Sequence, residues 1–408
     1  MNKNDIIIIG GGAAGLMAGI FASQKRKSVL LVEKNFKLGR KILVTGNGRC
    51  NVTNKFADRS HYHGGSTEFI EKVLANFNPR QVMKFFGHLG VLLREEDNGR
   101  IFPRTNQAET IVNALKEELN LPNVKIISGQ PASLLTRTGN FFQVTLGNSE
   151  VFLADKLIIA TGGCASEKYG ASGDGYEWLK NFGHHITPLF PALVPLEIQE
   201  RWLKNLQGLK VEAKISVLVD GKITAEKSGE VLFTHYGLSG PSVMALAGEI
   251  APSLPGHAVK ISLDLYPEET KINLDKKIEQ IFFSNRKKTV KNALVGLAPA
   301  NFIAVLLANI NIKLEKKATE ISKADRLKIV QGFKNTLLTV SGTRPFSEAQ
   351  VTAGGVDTKE VNPETLESKI IPGLFLAGEI LDVNGDSGGF NLQWAWASGY
   401  LAGKSAAK

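Results

Sequence analysis

Asp5-Ile6-Ile7-Ile8-Ile9-Gly10-Gly11-Gly12-Ala13-Ala14-Gly15 decides how this chain begins to fold. Four successive isoleucines predict a strand buried on both faces, because β-branched side chains fit a pleated surface and a central parallel strand has no polar side. The glycines Gly10-x-Gly12-x-x-Gly15 come directly after it. Leu16 to Lys25 then reads as a helix and Ser28 to Glu33 as a second strand. In that order the glycines let the backbone approach a pyrophosphate, whose charge meets the amides at the helix N-terminus. Glu33 ends the second strand, where an acid can accept hydrogen bonds from a ribose. Gly10, Gly12, Ala14, Gly15, Glu33 and Lys34 are therefore candidate contacts to an adenine dinucleotide.

Outward from this opening, the 408 residues suggest two or three domains. With 43% hydrophobic and 22% charged residues, the composition excludes a disordered or fibrous chain. Two cysteines, Cys50 and Cys164, are too few for a disulfide framework and lack dithiol spacing, which points to a reducing compartment. The apolar run Ile6 to Ile9 is too short for a signal-peptide core or a membrane span, so the expected address is cytoplasmic, with no membrane partner. No histidine pair carries the companions of a metal site: His61 with His63, and His184 with His185, stand without further ligands.

The formal charge is +10, and its excess is local. Residues 271–330 hold 13 Lys and Arg against 5 Asp and Glu. Such a segment favours polyanions, RNA among them, although a solvated lysine-rich helical face explains it as well.

Along the chain, residues 67–119 read as mostly helical, while Val124 to Ile127, Phe141 to Leu146 and Lys156 to Ala160 read as strands. A parallel sheet with antiparallel additions is expected. Prolines 188 and 191 mark a boundary, after which Ala213 to Val219 and Val259 to Leu265 give a β-rich stretch. After Pro267 the pattern is helical to about Val340. Ile370 to Gly378 then reads as another buried strand. The expected domains are thus 1–190 with 346–408, an inserted β-rich domain 191–267, and an inserted basic helical domain 268–345.

The fingerprint alone does not separate NAD from FAD. Lys156-Leu157-Ile158-Ile159-Ala160-Thr161-Gly162-Gly163 resembles the Ala-Thr-Gly strand end of the two-dinucleotide-binding-domain flavoproteins, and Pro372 to Glu379 resembles their C-terminal element. The three segments together favour FAD, with Thr161, Gly162, Gly163, Gly378, Glu379 and Asp382 as contacts. Beyond them, Gly388-Gly389-Phe390-Asn391 opens a helix whose free amides can face negative charge on a flavin. Gly39-Arg40-Lys41 and Thr45-Gly46-Asn47-Gly48-Arg49-Cys50-Asn51 form a second polar, glycine-rich region. Arg40 and Lys41 can neutralise a pyrophosphate, with Thr45, Gly46, Gly48 and Asn51 as further cofactor contacts. Asn47 and Arg49 are catalytic candidates. Cys50 joins them, although a single cysteine is more often a small buried packing residue than a redox centre. In Phe233-Thr234-His235-Tyr236-Gly237-Leu238-Ser239-Gly240-Pro241, His235 or Tyr236 can serve as a general acid, or the segment is simply a Gly-Pro-bounded turn.

These segments, together with Thr352-Ala353-Gly354-Gly355-Val356 and Gly388-Gly389-Phe390-Asn391-Leu392-Gln393-Trp394-Ala395, resemble the BaiN/RdsA family of FAD-dependent oxidoreductases over nearly the whole chain. The resemblance implies an α/β fold: a Rossmann-type FAD domain in two sequence parts, interrupted by a β-barrel-like lobe and a small helical lobe. It also implies reduction of a carbon-carbon double bond, either in a steroid-like enone or in a uridine of ribosomal RNA. Only one strong fingerprint is visible, so NADH or NADPH is expected as a transient reductant. The basic segment makes RNA uracil the leading substrate. A small-molecule enone is the alternative, and a third reading is an FAD-containing RNA-binding protein without turnover.

Overall fold

A computed structural model describes residues 2–408. The chain divides into two compact units. The first is formed by the chain up to Pro191 and by Phe346–Lys408, and the second by Ala192–Pro345.

At the centre of the first unit lies the sheet that the opening isoleucines begin. Its order is Val124–Ser128, Val29–Glu33, Asn2–Ile9, Val151–Ile159, Phe141–Leu146 and Ala132–Thr138. The first four strands are parallel, and Ile6 to Ile9 pair with Lys156 to Ile159. The long Val151–Ile159 strand is shared. Its first half pairs antiparallel with Phe141–Leu146, and Leu157 to Ile159 pair parallel with Leu374–Leu376. Ile6, Ile7 and Ile8 are wholly buried, as a strand covered on both faces requires. The C-terminal segment thus returns to a sheet begun at the N-terminus, and Ile9, Val32, Ile159 and Leu376 end along one carboxyl edge. In parallel α/β sheets that edge is where ligands bind.

Helix Ala13–Ser23 and the C-terminal helix Phe390–Ala406 cover this region. Their axes approach closely because glycine is placed at the contact. A Cβ on Gly399 would lie 2.3 Å from the Ala14 carbonyl oxygen, and one on Gly403 2.3 Å from that of Ala18. Within residues 67–119 the helices Thr67–Asn76, Pro79–His88 and Ala108–Glu118 are interrupted by a hairpin, Leu93–Glu96 with Arg100–Pro103.

The second unit is built on a closed barrel, in the order Leu196–Ile198, Gly237–Ser239, Lys222–Phe233, Lys210–Val219, Val259–Asp264 and Thr336–Thr343. The last strand corrects the sequence reading, which carried the helical pattern to Val340. Thr336-Leu337-Leu338-Thr339-Val340 follows a helix after the single residue Asn335 with no proline between, and pairing with Val259–Asp264 and Leu196–Ile198 decides its conformation. The helices Lys271–Ser284, Val290–Leu294, Ala300–Asn309 and Lys323–Lys334 are therefore inserted between two neighbouring barrel strands. They share the barrel's core: the Phe302 ring centroid lies 6.2 Å from those of Phe233 and Phe333. A cavity of about 460 Å³ in this unit is walled by Trp202, Leu206, Phe302, Leu306 and Leu327.

Among the described residues no helix is long and apolar enough to cross a membrane. No group of three or more His, Cys, Asp or Glu among them can hold a metal ion.

Candidate functional site

The glycine turn after Ile9 assigns each of its glycines a separate task. Gly10 has φ +109°, and a Cβ there would meet the Ala160 carbonyl oxygen at 2.4 Å. At Gly15 a Cβ would meet the Gly10 oxygen at 1.8 Å. Both are required by protein packing. Gly12 is different: nothing lies within 4 Å of its would-be Cβ, and it caps the helix with no side-chain bond to the first amides. Open space beside uncapped helix amides is what a pyrophosphate needs.

Glu33 is buried, and its carboxylate organises the turn. Oε2 accepts the Gly11 amide at 2.7 Å, and Oε1 accepts both the backbone and side-chain amides of Asn35 at 2.8 and 2.6 Å. Asn35 in turn accepts from Arg40 at 2.7 Å. Lys34 binds Ser172 and Asp174. A groove bordered by Gly10, Glu33, Lys34, Thr161, Gly173 and Trp178 runs along this part of the sheet edge.

Lys41, on the short helix Arg40–Val44, reaches Glu379 at 2.8 Å. The other Glu379 oxygen accepts the Thr352 amide at 2.8 Å. Thr352 Oγ1 accepts the amides of Cys164 and Ala165, just beyond Gly162-Gly163. The Gly378 amide donates to Ser398, and its carbonyl accepts from the Trp394 indole. Burial holds the Asp382 carboxyl above its usual range, although Thr187 and the Gly354 amide bond it.

Gly46, Asn47 and Gly48 take successive left-handed conformations, with φ +56°, +57° and +82°. Thr45's carbonyl accepts the amides of Gly48 and Cys50, closing the loop. Asn47 is exposed at its tip. Arg49 pairs with Glu96 at 3.0 Å and lies over the Phe102 ring at 4.1 Å. Cys50 is fully buried, and burial pushes its thiol up to about 12. At neutral pH it is therefore a neutral thiol.

The C-terminal helix ties this loop to the sheet edge. Thr53 donates to Gln393, Trp396 donates to the Val52 carbonyl, and Asn54 donates to the Gly388 carbonyl. Gly388 and Gly389 have φ +128° and +103°, and a Cβ on Gly389 would meet the Thr53 backbone at 2.6 Å. Phe390 stacks on His61 with centroids 4.2 Å apart, and the Asn391 side chain exchanges bonds with the Gly385 backbone. Asn35 and Thr187 were missed by sequence reasoning, and Asn54 and Thr352 stood in glycine-rich motifs without being singled out; Asn35 and Thr187 carry no local signal of these bonds.

Among the described residues of this unit four buried polar atoms have no partner, Asn51 Oδ1, Arg59 Nε, Arg94 Nε and Thr161 Oγ1, and of these Asn51 and Thr161 belong to the glycine-rich motifs. Such atoms cost free energy unless a ligand or water satisfies them. With the open face at Gly12, the unpartnered Asn51 and Thr161 atoms fit an adenine dinucleotide such as FAD.

His235 and Tyr236 belong to the second unit, on the tight turn between Lys222–Phe233 and Gly237–Ser239. His235 is exposed, with its ring 4.9 Å from that of Tyr236. The Arg344 guanidinium, paired with Glu197 at 2.9 Å, covers the Tyr236 ring at 4.8 Å.

Comparison with known proteins gives concordant matches. The profile of the HI0933-like protein Rossmann domain matches residues 4–405. A 3-dehydro-bile acid delta(4,6)-reductase of Clostridium scindens is 39% identical over 99% of each chain. A ribosomal RNA dihydrouridine synthase of Haemophilus influenzae is 32% identical, over 98% of this chain and 97% of that one. Among solved structures, the 3-ketosteroid delta1-dehydrogenase of Sterolibacterium denitrificans aligns over 100% of both chains at 13% identity and a TM-score of 0.53, a likeness of fold.

Proposed function

The chain belongs to the HI0933-like Rossmann-domain family and is a flavoprotein oxidoreductase that reduces a carbon-carbon double bond, and we propose that its cofactor is FAD and its substrate a uridine of ribosomal RNA. The observation that carries the dinucleotide reading is Gly12, whose open face adjoins a helix start with no side-chain cap; the return of Leu374–Leu376 to the same sheet supports FAD over NAD. The uridine reading is supported by the basic segment 271–330 and by relatives named as dihydrouridine synthases.

Uracil is an electron-poor alkene: its C5=C6 bond is conjugated to the C4 carbonyl, so hydride adds at C6 and a proton at C5. Bound reduced flavin supplies the hydride. The chain's own residues bind, orient and protonate. Amides at the start of helix Ala13–Ser23 would hold the pyrophosphate, and Glu33 holds the Gly11 turn in place. The N-terminal amides of helix Phe390–Ala406 would stabilise negative charge on a bound flavin. Asn51 and Thr161, whose side-chain oxygens are unpartnered, would complete their hydrogen bonding on the cofactor. His235 and Tyr236 are the candidate proton donors, and Asn47 and Arg49 the candidate substrate contacts. Cys50, buried and neutral, serves packing. NADH or NADPH would reduce the flavin as a transient visitor, and the expected setting is cytoplasmic.

A small-molecule enone is the second reading, favoured by the higher identity to the bile acid reductase. To decide between them, the protein is photoreduced anaerobically and mixed with ribosomal RNA or with a Δ4-3-ketosteroid. Return of the oxidised flavin band with RNA supports the uridine reading. Return with the steroid alone overturns it. The same spectrum, followed after NADH or NADPH is added to the oxidised protein, tests the reductant.

A further inference from the structure

The positive charge of residues 271–330 is not spread evenly over the helices that carry it. Arg326 bonds Asp275 and Glu279, Lys316 and Lys328 meet Asp325, and Lys277 meets Glu269. The acids of the segment are thus largely engaged along the packed helices Lys271–Ser284 and Lys323–Lys334.

A different set of cations collects at one end. The turn 285–291 is pinned to the segment 313–318 by backbone bonds: the Val290 amide donates to Lys316 at 2.8 Å and the Ala318 amide to Lys288 at 3.0 Å, with a bridge between Thr289 and Lys317. This brings Arg286, Lys287, Lys288 and Lys291 beside Lys313 and Lys317, with only Glu315 and Glu320 opposing them. All six but Lys291 are exposed, and none has a carboxylate within ion-pair distance among the described residues.

At the same end Phe283 is 67% exposed, on the last turn of its helix, with the Arg286 guanidinium 4.0 Å from its ring centroid. An exposed phenylalanine has no role in the core, where Phe282 is already buried. An aromatic face backed by a guanidinium and ringed by free ammonium groups matches unpaired nucleotides, whose bases stack while their phosphates are neutralised. A duplex hides its base faces and can use the cations only.

We propose that Phe283 with Arg286, Lys287, Lys288, Lys291, Lys313 and Lys317 forms a docking surface for single-stranded RNA. The proposal rests on the reading of RNA as substrate and adds the place and the strandedness.

Binding of a fluorescent oligouridylate and of an RNA duplex of equal length is measured by anisotropy over a range of salt. Phe283→Ala is expected to weaken single-strand binding roughly tenfold, leaving duplex binding and the salt slope unchanged. The triple variant Lys287→Ala, Lys288→Ala, Lys317→Ala is expected to weaken both and to flatten the single-strand salt slope by about 0.7 per cation removed. Circular dichroism and the thermal unfolding midpoint, recorded for every variant, report that the second unit is intact. Undiminished single-strand binding by Phe283→Ala, or failure of the wild type to bind either RNA, overturns the surface. Dihydrouridine formation on the same RNA separates this from the substrate reading. Binding lost as expected with no dihydrouridine from the wild type sinks the substrate and leaves the surface. Dihydrouridine formed, with binding undiminished in the variants, sinks the surface alone.

Discussion

The Lys41 ammonium lies 2.8 Å from the Glu379 carboxylate, joining residues 338 positions apart. Both side chains are largely covered, at 28% and 20% exposure, and the second Glu379 oxygen is held by the Thr352 amide. Removing one partner leaves the other partly desolvated and unpaired. Lys41→Met is expected to cost about 1–3 kcal/mol of stability. Glu379→Gln, which keeps the bond to the Thr352 amide, is expected to cost less. Chemical unfolding of the flavin-free proteins checks the order; equal losses would mean that the ion pair contributes nothing specific.

Two glycines of one motif should fail differently. Gly12→Ala places its methyl in open space, so the protein is expected to fold normally and lose flavin. Gly15→Ala drives a methyl into the Gly10 carbonyl and is expected to destabilise the fold itself. Flavin absorbance per protein, set against the unfolding midpoint, separates the two. A Gly12→Ala protein that retains full flavin would contradict the pyrophosphate cradle.

The close contact between the first and last helices predicts a third effect. Gly399→Ala pushes on the Ala14 carbonyl within the cofactor turn. Overpacking of this kind costs about 1–3 kcal/mol. The urea midpoint should fall, and flavin should dissociate more readily than from wild type.

Cys50 gives a pH dependence with a definite sign. Its folded pKa, about 12, lies above the ordinary value of 9.0 because burial penalises the thiolate. The unfolded state therefore ionises first as pH rises. The stability associated with this thiol is complete below pH 9 and declines between about pH 9 and 12, by on the order of 4 kcal/mol at the upper end. Cys50→Ala should remove this part of the alkaline decline. Below pH 9 a thiol reagent should modify the partly exposed Cys164 and spare Cys50 in the native protein.

What the sequence made legible was local. Ile6 to Ile9 with Gly10, Gly12 and Gly15 spell a strand, a turn and a helix start within one stretch, so the parallel sheet and its carboxyl edge could be read directly. The strand Thr336–Thr343 could not, because barrel closure selects it over the helical pattern that precedes it. Contacts across the chain were hidden for a similar reason. Nothing near Asn54 indicates that its amide reaches the Gly388 carbonyl, and nothing near Thr352 that it gathers the amides of Cys164 and Ala165. Glu33 was legible as an acid at a strand end. Its bonds to Gly11 and Asn35 emerge only from the folded turn.

The central claim is reduction of a uridine by a flavin held in this cradle. A ribosomal RNA transcript is incubated anaerobically with the photoreduced protein, digested to nucleosides, and assayed by mass for the gain of two hydrogens that marks dihydrouridine. The account predicts dihydrouridine in proportion to flavin reoxidised, and none from a flavin-free Gly12→Ala protein. Unchanged uridine with the flavin still reduced, under conditions where the same protein saturates a Δ4-3-ketosteroid, would contradict it.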